Sequence, residues 1–183
     1  MRILLVTLLF LSALYAQRAG PYVGASYGVS FYDSDKRVSK RDFKIDSGAP
    51  RFTLGAYINE SLSMEIDYTY YNKFYGIYEG GKVVESFYSM GVTVLPHLPF
   101  YHDTFDFFGR LGIAQVFWVE TNSRSNSDSA GAYILGIGLG YKIMDYTIKI
   151  GYDLTSFGLK DSNTNKSYDM RLDYFYTAIE VKF

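Results

Sequence analysis

The chain has 183 residues and a formal net charge of −1, so its length predicts one domain and its charge gives no reason to expect nucleic-acid binding. Hydrophobic residues make up 48% of it, which is too low for a membrane protein built of helices. The sequence contains no cysteine, which excludes disulfides, thiol chemistry and a lipoprotein anchor.

The first sixteen residues have the pattern of a secretory signal peptide. Arg2 supplies the positive charge, residues 3–14 form an apolar core, and Ala16 is a small residue at the expected cleavage point. A transmembrane anchor is the alternative, but the apolar run is too short to span a bilayer as a helix. We therefore predict a signal peptide over residues 1–16 and a mature domain over residues 17–183.

The rest of the chain alternates apolar residues with small or polar ones, and this period of two predicts β-strands. The eight predicted strands cover residues 22–32, 51–58, 62–71, 84–95, 105–119, 133–143, 146–154 and 171–183. Their connections alternate between long and short. The polar segments 33–50, 72–82 and 120–129 are predicted long loops, residues 96–104 a connection with both histidines, and Met144 and Asp145 a two-residue turn.

The chain ends on an aromatic residue that is preceded by apolar residues at alternate positions. These residues are Phe175, Ile179, Val181 and Phe183. Such an ending resembles the insertion signal of bacterial outer-membrane β-barrels, which the barrel-assembly machinery reads, and the whole mature chain resembles the small OmpA/OmpX-type family. The resemblance implies an all-β fold, an eight-stranded antiparallel up-and-down transmembrane β-barrel. It also implies short periplasmic turns, long extracellular loops and both termini in the periplasm.

A soluble eight-stranded barrel of the lipocalin kind alternates in the same way but turns its apolar face inward. The second face of the predicted strands consists of Gly, Ser, Thr and charged residues, which suit a small lumen and would make a poor exterior. Aromatic residues such as Phe31, Tyr70 and Tyr141 recur near strand ends, as in membrane barrels. We therefore expect the apolar face to point outward into lipid.

Charged residues at mid-strand share the inward parity of this predicted lumen. They are Glu65, Asp67, Arg110, Lys149, Asp153 and Glu180, and Arg110 is the only arginine expected at that depth. Buried charges must pair or hold water. A salt-bridge plug is the favoured interpretation because eight strands leave little room, and a narrow ion path is the alternative.

The predicted function is structural or surface-interacting, through extracellular loops that contact lipopolysaccharide, host or neighbouring proteins. A narrow pore for ions or small solutes is the alternative. Basic residues of the first loop are candidates to bind lipopolysaccharide phosphates, although nearby acidic residues fit a plain charged hairpin tip equally well. These basic residues are Lys36, Arg37, Lys40 and Arg41.

Three patterns that could carry chemistry are interpreted as structural. Gly136, Gly138 and Gly140 lack the spacing of a nucleotide-binding loop and are expected to allow strand curvature. His97 and His102 have only Asp103 nearby, which is too few ligands for a metal. Both histidines lie near a predicted periplasmic turn.

A lipid A-modifying hydrolase would need its catalytic base at the outer rim of the barrel, which is the opposite rim. We therefore expect no enzyme and no cofactor.

Asp161, Asn163 and Asn165 have the opening spacing of a calcium-binding loop. Lys166 replaces the turn glycine and Leu172 the closing glutamate of that pattern. We therefore interpret this segment as a solvated loop.

Overall fold

The computed structural model describes residues 19–33, 48–78, 81–121, 126–160 and 167–183. These residues form a closed antiparallel barrel in which each strand pairs with its neighbours in the chain and the last pairs with the first. The strands are β1 Gly20–Asp33, β2 Ala49–Asn59, β3 Leu62–Tyr78, β4 Gly81–Phe100, β5 Phe105–Thr121, β6 Asn126–Ile143, β7 Tyr146–Lys160 and β8 Ser167–Lys182. Within these ranges, no helix has the length and apolar character needed to cross a membrane. The predicted signal peptide, residues 1–16, lies outside the described residues.

Side chains alternate between the outside and the inside of the barrel along every strand. Leu54, Ile113 and Ile150 project outward, and more than half of each is exposed. Glu65 and Arg110 have the opposite parity and are buried inside. An apolar exterior around a polar interior is the reverse of a soluble barrel, so the predicted outward direction of the apolar face is confirmed.

The strands are staggered, which sets the width of the lumen. The stagger can be measured by starting at Met90 of β4 and moving, strand by strand, to the residue that is paired with the previous one. This path runs through Tyr68, Phe52, Ala25, Ile179, Ile148, Tyr141 and Phe105. It returns to β4 at Phe100, ten residues beyond Met90. Eight strands with such a stagger enclose a space just wide enough for side chains to fill.

The two ends of the barrel differ. Tight turns at Glu60–Ser61, residues 101–104 and Met144–Asp145 lie at one end, which we call the turn end. Gly20 and Phe183 lie at the same end, and the Phe183 amide donates to the Pro21 carbonyl at 3.0 Å. We call the opposite end the loop end.

Two rows of aromatic side chains border the apolar exterior. Phe100, Phe105 and Tyr141 lie toward the turn end, with successive ring centroids 5.7 and 5.1 Å apart. Tyr68, Tyr88 and Phe117 lie toward the loop end, at 6.3 and 5.0 Å. Such belts mark the two interfaces of a membrane with water.

Most strands extend further than predicted. Residues 126–129, predicted as part of a loop, belong to β6, where Asn126 pairs with Glu120 of β5. Residues 72–78 continue β3 after a bulge at Asn72, and residues 96–100 complete β4 rather than forming a connection. The apolar alternation stops where lipid contact stops, but backbone hydrogen bonding continues into water. Strand ends therefore escape a prediction based on apolar pattern.

Candidate functional site

The six charged residues predicted to face the lumen all lie there and are buried. We call them, together with Arg51, the charge network. Arg110 of β5 is its centre, and its guanidinium bonds three carboxylates on β3 and β7, the strands two places away on either side. Nη1 donates to Asp153 and Nη2 to Asp67, both at 2.6 Å, and Nε donates to Glu65 at 3.3 Å. These bonds tie β5 to β3 and β7 across the barrel.

Lys149 of β7 forms the second cationic centre. Its Nζ lies 2.5 Å from Glu180 and 3.4 Å from Glu65, and 5.0 Å from the centre of the Phe108 ring. The Tyr22 hydroxyl donates to Glu65 at 2.8 Å, so Glu65 receives a phenol, an ammonium and a guanidinium. Each buried carboxylate of this centre is therefore paired, as its burial requires.

Arg51 of β2 also belongs to the charge network, so the prediction that Arg110 is the only arginine at this depth was wrong. Its Nη1 lies 2.7 Å from Asp153, and its Nε donates to the Thr69 hydroxyl at 2.8 Å. The guanidinium carbon lies 4.5 and 4.8 Å from the ring centres of Tyr174 and Tyr176. Parity alone could have identified Arg51, because its outward neighbour on β2 is Phe52.

The glycines of β6 make room for the side chains opposite them. A Cβ atom on Gly138 would lie 2.3 Å from the Phe108 ring, and one on Gly136 would lie 2.1 Å from an Asp153 carboxylate oxygen. These glycines therefore let the lumen close around large groups, a more specific role than the predicted curvature.

An apolar cluster fills the lumen on the loop-end side of the charge network, and we call it the apolar core. Rings of Tyr32 and Phe87 lie 4.9 Å apart, and those of Phe87 and Phe157 lie 6.1 Å apart. These contacts join β1 to β4 and β4 to β7, which are not adjacent, so the cluster crosses the lumen. Its other members include Phe74, Val116, Trp118, Ile134, Met170 and Leu172. This core was not predicted. Phe74, Phe157 and Met170 lie beyond the ends of the predicted strands, and large apolar side chains such as Phe87 and Val116 were not expected inside a polar lumen.

A third group of residues, which is polar like the charge network, lies in the lumen at the turn end. We call it the floor triad. His97 Nδ1 lies 2.6 Å from Asp106, and His97 Nε2 lies 2.8 Å from the Ser63 hydroxyl. All three residues are buried, whereas His102 is exposed in the turn. The prediction that both histidines lie in a connection was wrong for His97, which belongs to β4. Across the part of the chain that the structure describes, no group of three or more metal-ligating side chains occurs.

The residues of the predicted insertion signal lie on the outer face of β8. Phe175, Ile179 and Phe183 are at least half exposed, and Val181 is partly exposed. Strand β8 pairs with β7 and β1 and so closes the barrel.

Two sequence features fall outside the described residues. They are the basic residues Lys36, Arg37, Lys40 and Arg41, and the calcium-like positions Asp161, Asn163, Asn165 and Lys166. Leu172, at the position of the closing glutamate, is buried in the apolar core.

A closed eight-stranded barrel with a lipid-like exterior, aromatic belts and a filled polar lumen is a transmembrane β-barrel. The chain belongs to the family of the outer membrane protein beta-barrel domain, whose sequence profile matches residues 2–183. It is therefore an outer-membrane protein, as the resemblance to small barrels implies.

Solved structures of small outer-membrane barrels share the fold. Neisserial surface protein A is 16% identical over 90% of this chain and 97% of its own, with a TM-score of 0.68. Ail, the attachment invasion locus protein of Yersinia pestis, is 14% identical over 90% and 99%, with a TM-score of 0.57. OprG of Pseudomonas aeruginosa is 10% identical over 92% and 98%, with a TM-score of 0.53. No curated protein sequence matches the chain.

Proposed function

We propose that this outer-membrane protein is a closed barrel with a structural or surface-interaction role, which it performs through its loop end. The observation that carries the proposal is that two layers of side chains fill the lumen. One layer is the charge network, and the other is the apolar core on its loop-end side. An ion crossing the barrel would first have to displace the paired charges. It would then have to lose its hydration shell to pass between the aromatic rings of the apolar core. Both steps are costly, which disfavours the narrow pore.

The proposal gives the two ends different surroundings. The turn end and both chain termini face the periplasm, and the loop end faces outward, the arrangement usual for barrels with short turns at one end. Strands β3 and β4 pair as far as Tyr78 and Gly81, well beyond the Tyr68–Tyr88 belt. Such hairpins offer partners a rigid support in the water outside the membrane.

The ligand class that we propose for the first loop is anionic. Ail was also solved in complex with the heparin analogue sucrose octasulfate, a polyanion. We propose that lipopolysaccharide phosphates or similar polyanions bind this chain at the first loop, through guanidinium and ammonium groups. The residues proposed for it are Lys36, Arg37, Lys40 and Arg41.

Binding of sucrose octasulfate and of lipopolysaccharide vesicles to the refolded barrel tests this ligand class. A variant with all four basic residues changed to serine should bind both at least tenfold more weakly, because charge-assisted contacts to the anions are lost. Lys182→Ser, at the turn end, is the matched control and should bind as wild type does. Equal binding by wild type and the loop variant would exclude this site.

The proposal assigns the floor triad no catalytic role. Ser63 has no exposed surface, and a substrate would have to enter a lumen filled by its own side chains.

We propose that a signal peptide over residues 1–16 directs secretion and that the barrel-assembly machinery then recognises the outward residues of β8. These residues are Phe175, Ile179, Val181 and Phe183. Deleting Phe183 should reduce the yield of folded barrel in the outer membrane while secretion continues. Phe183→Trp keeps a terminal aromatic and should assemble normally. Wild-type yield of the deletion variant would contradict this role.

A further inference from the structure

With Asp106 ionised and His97 neutral, the hydrogen bonds of the floor triad define one arrangement of its protons. An ionised Asp106 only accepts, so the 2.6 Å contact puts a proton on His97 Nδ1. In a neutral imidazole Nε2 then accepts, so the Ser63 hydroxyl donates to it at 2.8 Å. This tautomer satisfies both ring nitrogens without solvent.

Beyond Ser63 the chain of hydrogen bonds has a weak link. The Tyr22 hydroxyl donates to Glu65 at 2.8 Å and makes a long hydrogen bond of 3.4 Å to the Ser63 oxygen. A phenol has one proton, and the shorter contact to a carboxylate takes the larger share of it. The Ser63 proton is directed at His97, so the link between Ser63 and Tyr22 relies on the minor share of the Tyr22 proton.

A proton on His97 Nε2 would strengthen this link. Nε2 would then donate to Ser63, and the Ser63 hydroxyl would turn to donate to Tyr22, which would give its own proton to Glu65 alone. One added proton therefore replaces the long, shared Tyr22–Ser63 hydrogen bond by a full one of opposite direction and makes a continuous chain from Asp106 to Glu65.

Charged groups surround the triad at several distances. Among the described residues, the ion pairs of the charge network and the turn end join the carboxylates of Glu65, Asp67, Asp106, Asp153 and Glu180 to Arg51, Arg110, Lys142 and Lys149. Asp106 faces His97 directly, and Lys142 of β6 lies 3.4 Å from the same carboxylate oxygen. Other titratable groups are separated from the triad by one residue. Tyr22 donates to Glu65, Tyr57 donates to Glu180, and Lys149 lies beside the Phe108 ring.

We propose that the floor triad is a proton-binding relay, in which protonation of His97 reverses the Ser63 hydrogen bond and links the turn end to Glu65 of the charge network. The same three residue types in this order act as nucleophile, base and orienting acid in hydrolases. Ser63 has no exposed surface, however, so its hydroxyl transmits a proton position instead of attacking a substrate.

The test is NMR of the refolded barrel in lipid nanodiscs, over a range of about pH 5 to 9 in which histidines titrate. The ¹⁵N shifts of the two histidines report tautomer and charge, and His102 is an exposed reference in the same chain. At high pH His97 should carry its proton on Nδ1. As it takes up a second proton, the Tyr22 ring resonance, assigned by its loss in Tyr22→Phe, should shift with the same midpoint.

Two variants separate the relay from ordinary charge effects. Ser63→Ala removes the hydroxyl, so the Tyr22 resonance should no longer follow His97. Ser26→Ala removes another buried lumen hydroxyl, which contacts Tyr174, and should leave the coupling unchanged. His102→Gln should also leave it unchanged.

Four NMR results would overturn the proposal. They are a proton on Nε2 at high pH, a His97 that takes up no proton in this range, a Tyr22 resonance that does not follow His97, and coupling that survives in Ser63→Ala. Labelling of Ser63 in the folded barrel by a fluorophosphonate would also overturn it, because the triad would then be a reaction centre. Each result can be read in wild type or in a variant shown to refold.

Discussion

The charge network and the apolar core occupy the same kind of sequence position, the inward parity of the strands, but they fill the lumen by opposite means. The charge network lies at the depth of the lipid and holds its strands together with ion pairs. The apolar core lies nearer the loop end and packs rings together, as the interior of a soluble protein does. The two regions follow one another along the barrel. Phe87 and Trp118 pair directly next to the belt residues Tyr88 and Phe117, whereas Arg110 lies closer to the turn end.

Two layers of side chains therefore close the lumen, and a substitution destabilises each layer by a different mechanism. Removing one partner of the charge network leaves a buried charge unpaired. Removing a ring from the apolar core leaves a cavity. The variants below separate the two, beginning with the largest expected effect.

Arg110→Ala should destabilise the barrel most, by about 3–5 kcal/mol, because three buried carboxylates lose a shared partner. Urea unfolding in lipid vesicles measures the change. Arg171→Ala is the matched control, since this arginine bonds Asp173 on the outer face and half of its side chain is exposed. Because the arginine of this pair is half exposed, water screens its charge and the control should lose much less stability than Arg110→Ala. Similar losses in both variants would mean that water solvates Arg110.

Phe87→Ala should cost about 3 kcal/mol, at the lower end for a buried phenylalanine, because the loop end lies close to water that can refill the space. The adjacent Tyr88 points outward and stacks on Phe117. Tyr88→Ala should cost less, about 1 kcal/mol for the lost ring pair. The same unfolding assay compares them, and a larger loss at Tyr88 would place the packing energy outside the lumen.

Gly138→Ala should cost about 1–3 kcal/mol, because the added methyl group would overlap the Phe108 ring and the backbone carbonyl oxygen of Ile150. Gly140 lies two residues along the same face, where a Cβ would meet its nearest atoms at 3.5 Å, an ordinary contact distance. Gly140→Ala should therefore be close to neutral. Equal stability of the two variants would show that Phe108 moves freely and that the lumen is less tightly filled than described.

The sequence was sufficient for the barrel and for most of the charge network. Period-two alternation placed Glu65, Asp67 and Arg110 on the inward face, because each strand has one face in lipid and the pattern is unambiguous there. The partners of Arg110 could not be chosen, since they depend on the stagger between strands that are not adjacent. That stagger comes from the pairing, and no single strand encodes it.

The sequence was insufficient for the apolar core and the floor triad, for two physical reasons. Phe74, Trp118 and Phe157 lie at or past the ends of the apolar alternation, where aromatic and polar residues mix and resemble a loop. Ser63, His97 and Asp106 come from three strands, and His97 follows Pro96, which reads as the start of a connection. Inward parity places Ser63 and Asp106 on the same face, but only the register brings them to one histidine.

Single-channel recording of the refolded barrel in a planar bilayer tests the closed-lumen account most directly. Wild type should show no steady conductance. Arg110→Ala and Phe87→Ala should each remain nearly closed, because the other layer still fills the lumen, and the double variant should conduct. A large, steady conductance in wild type would contradict the account and establish the barrel as a pore.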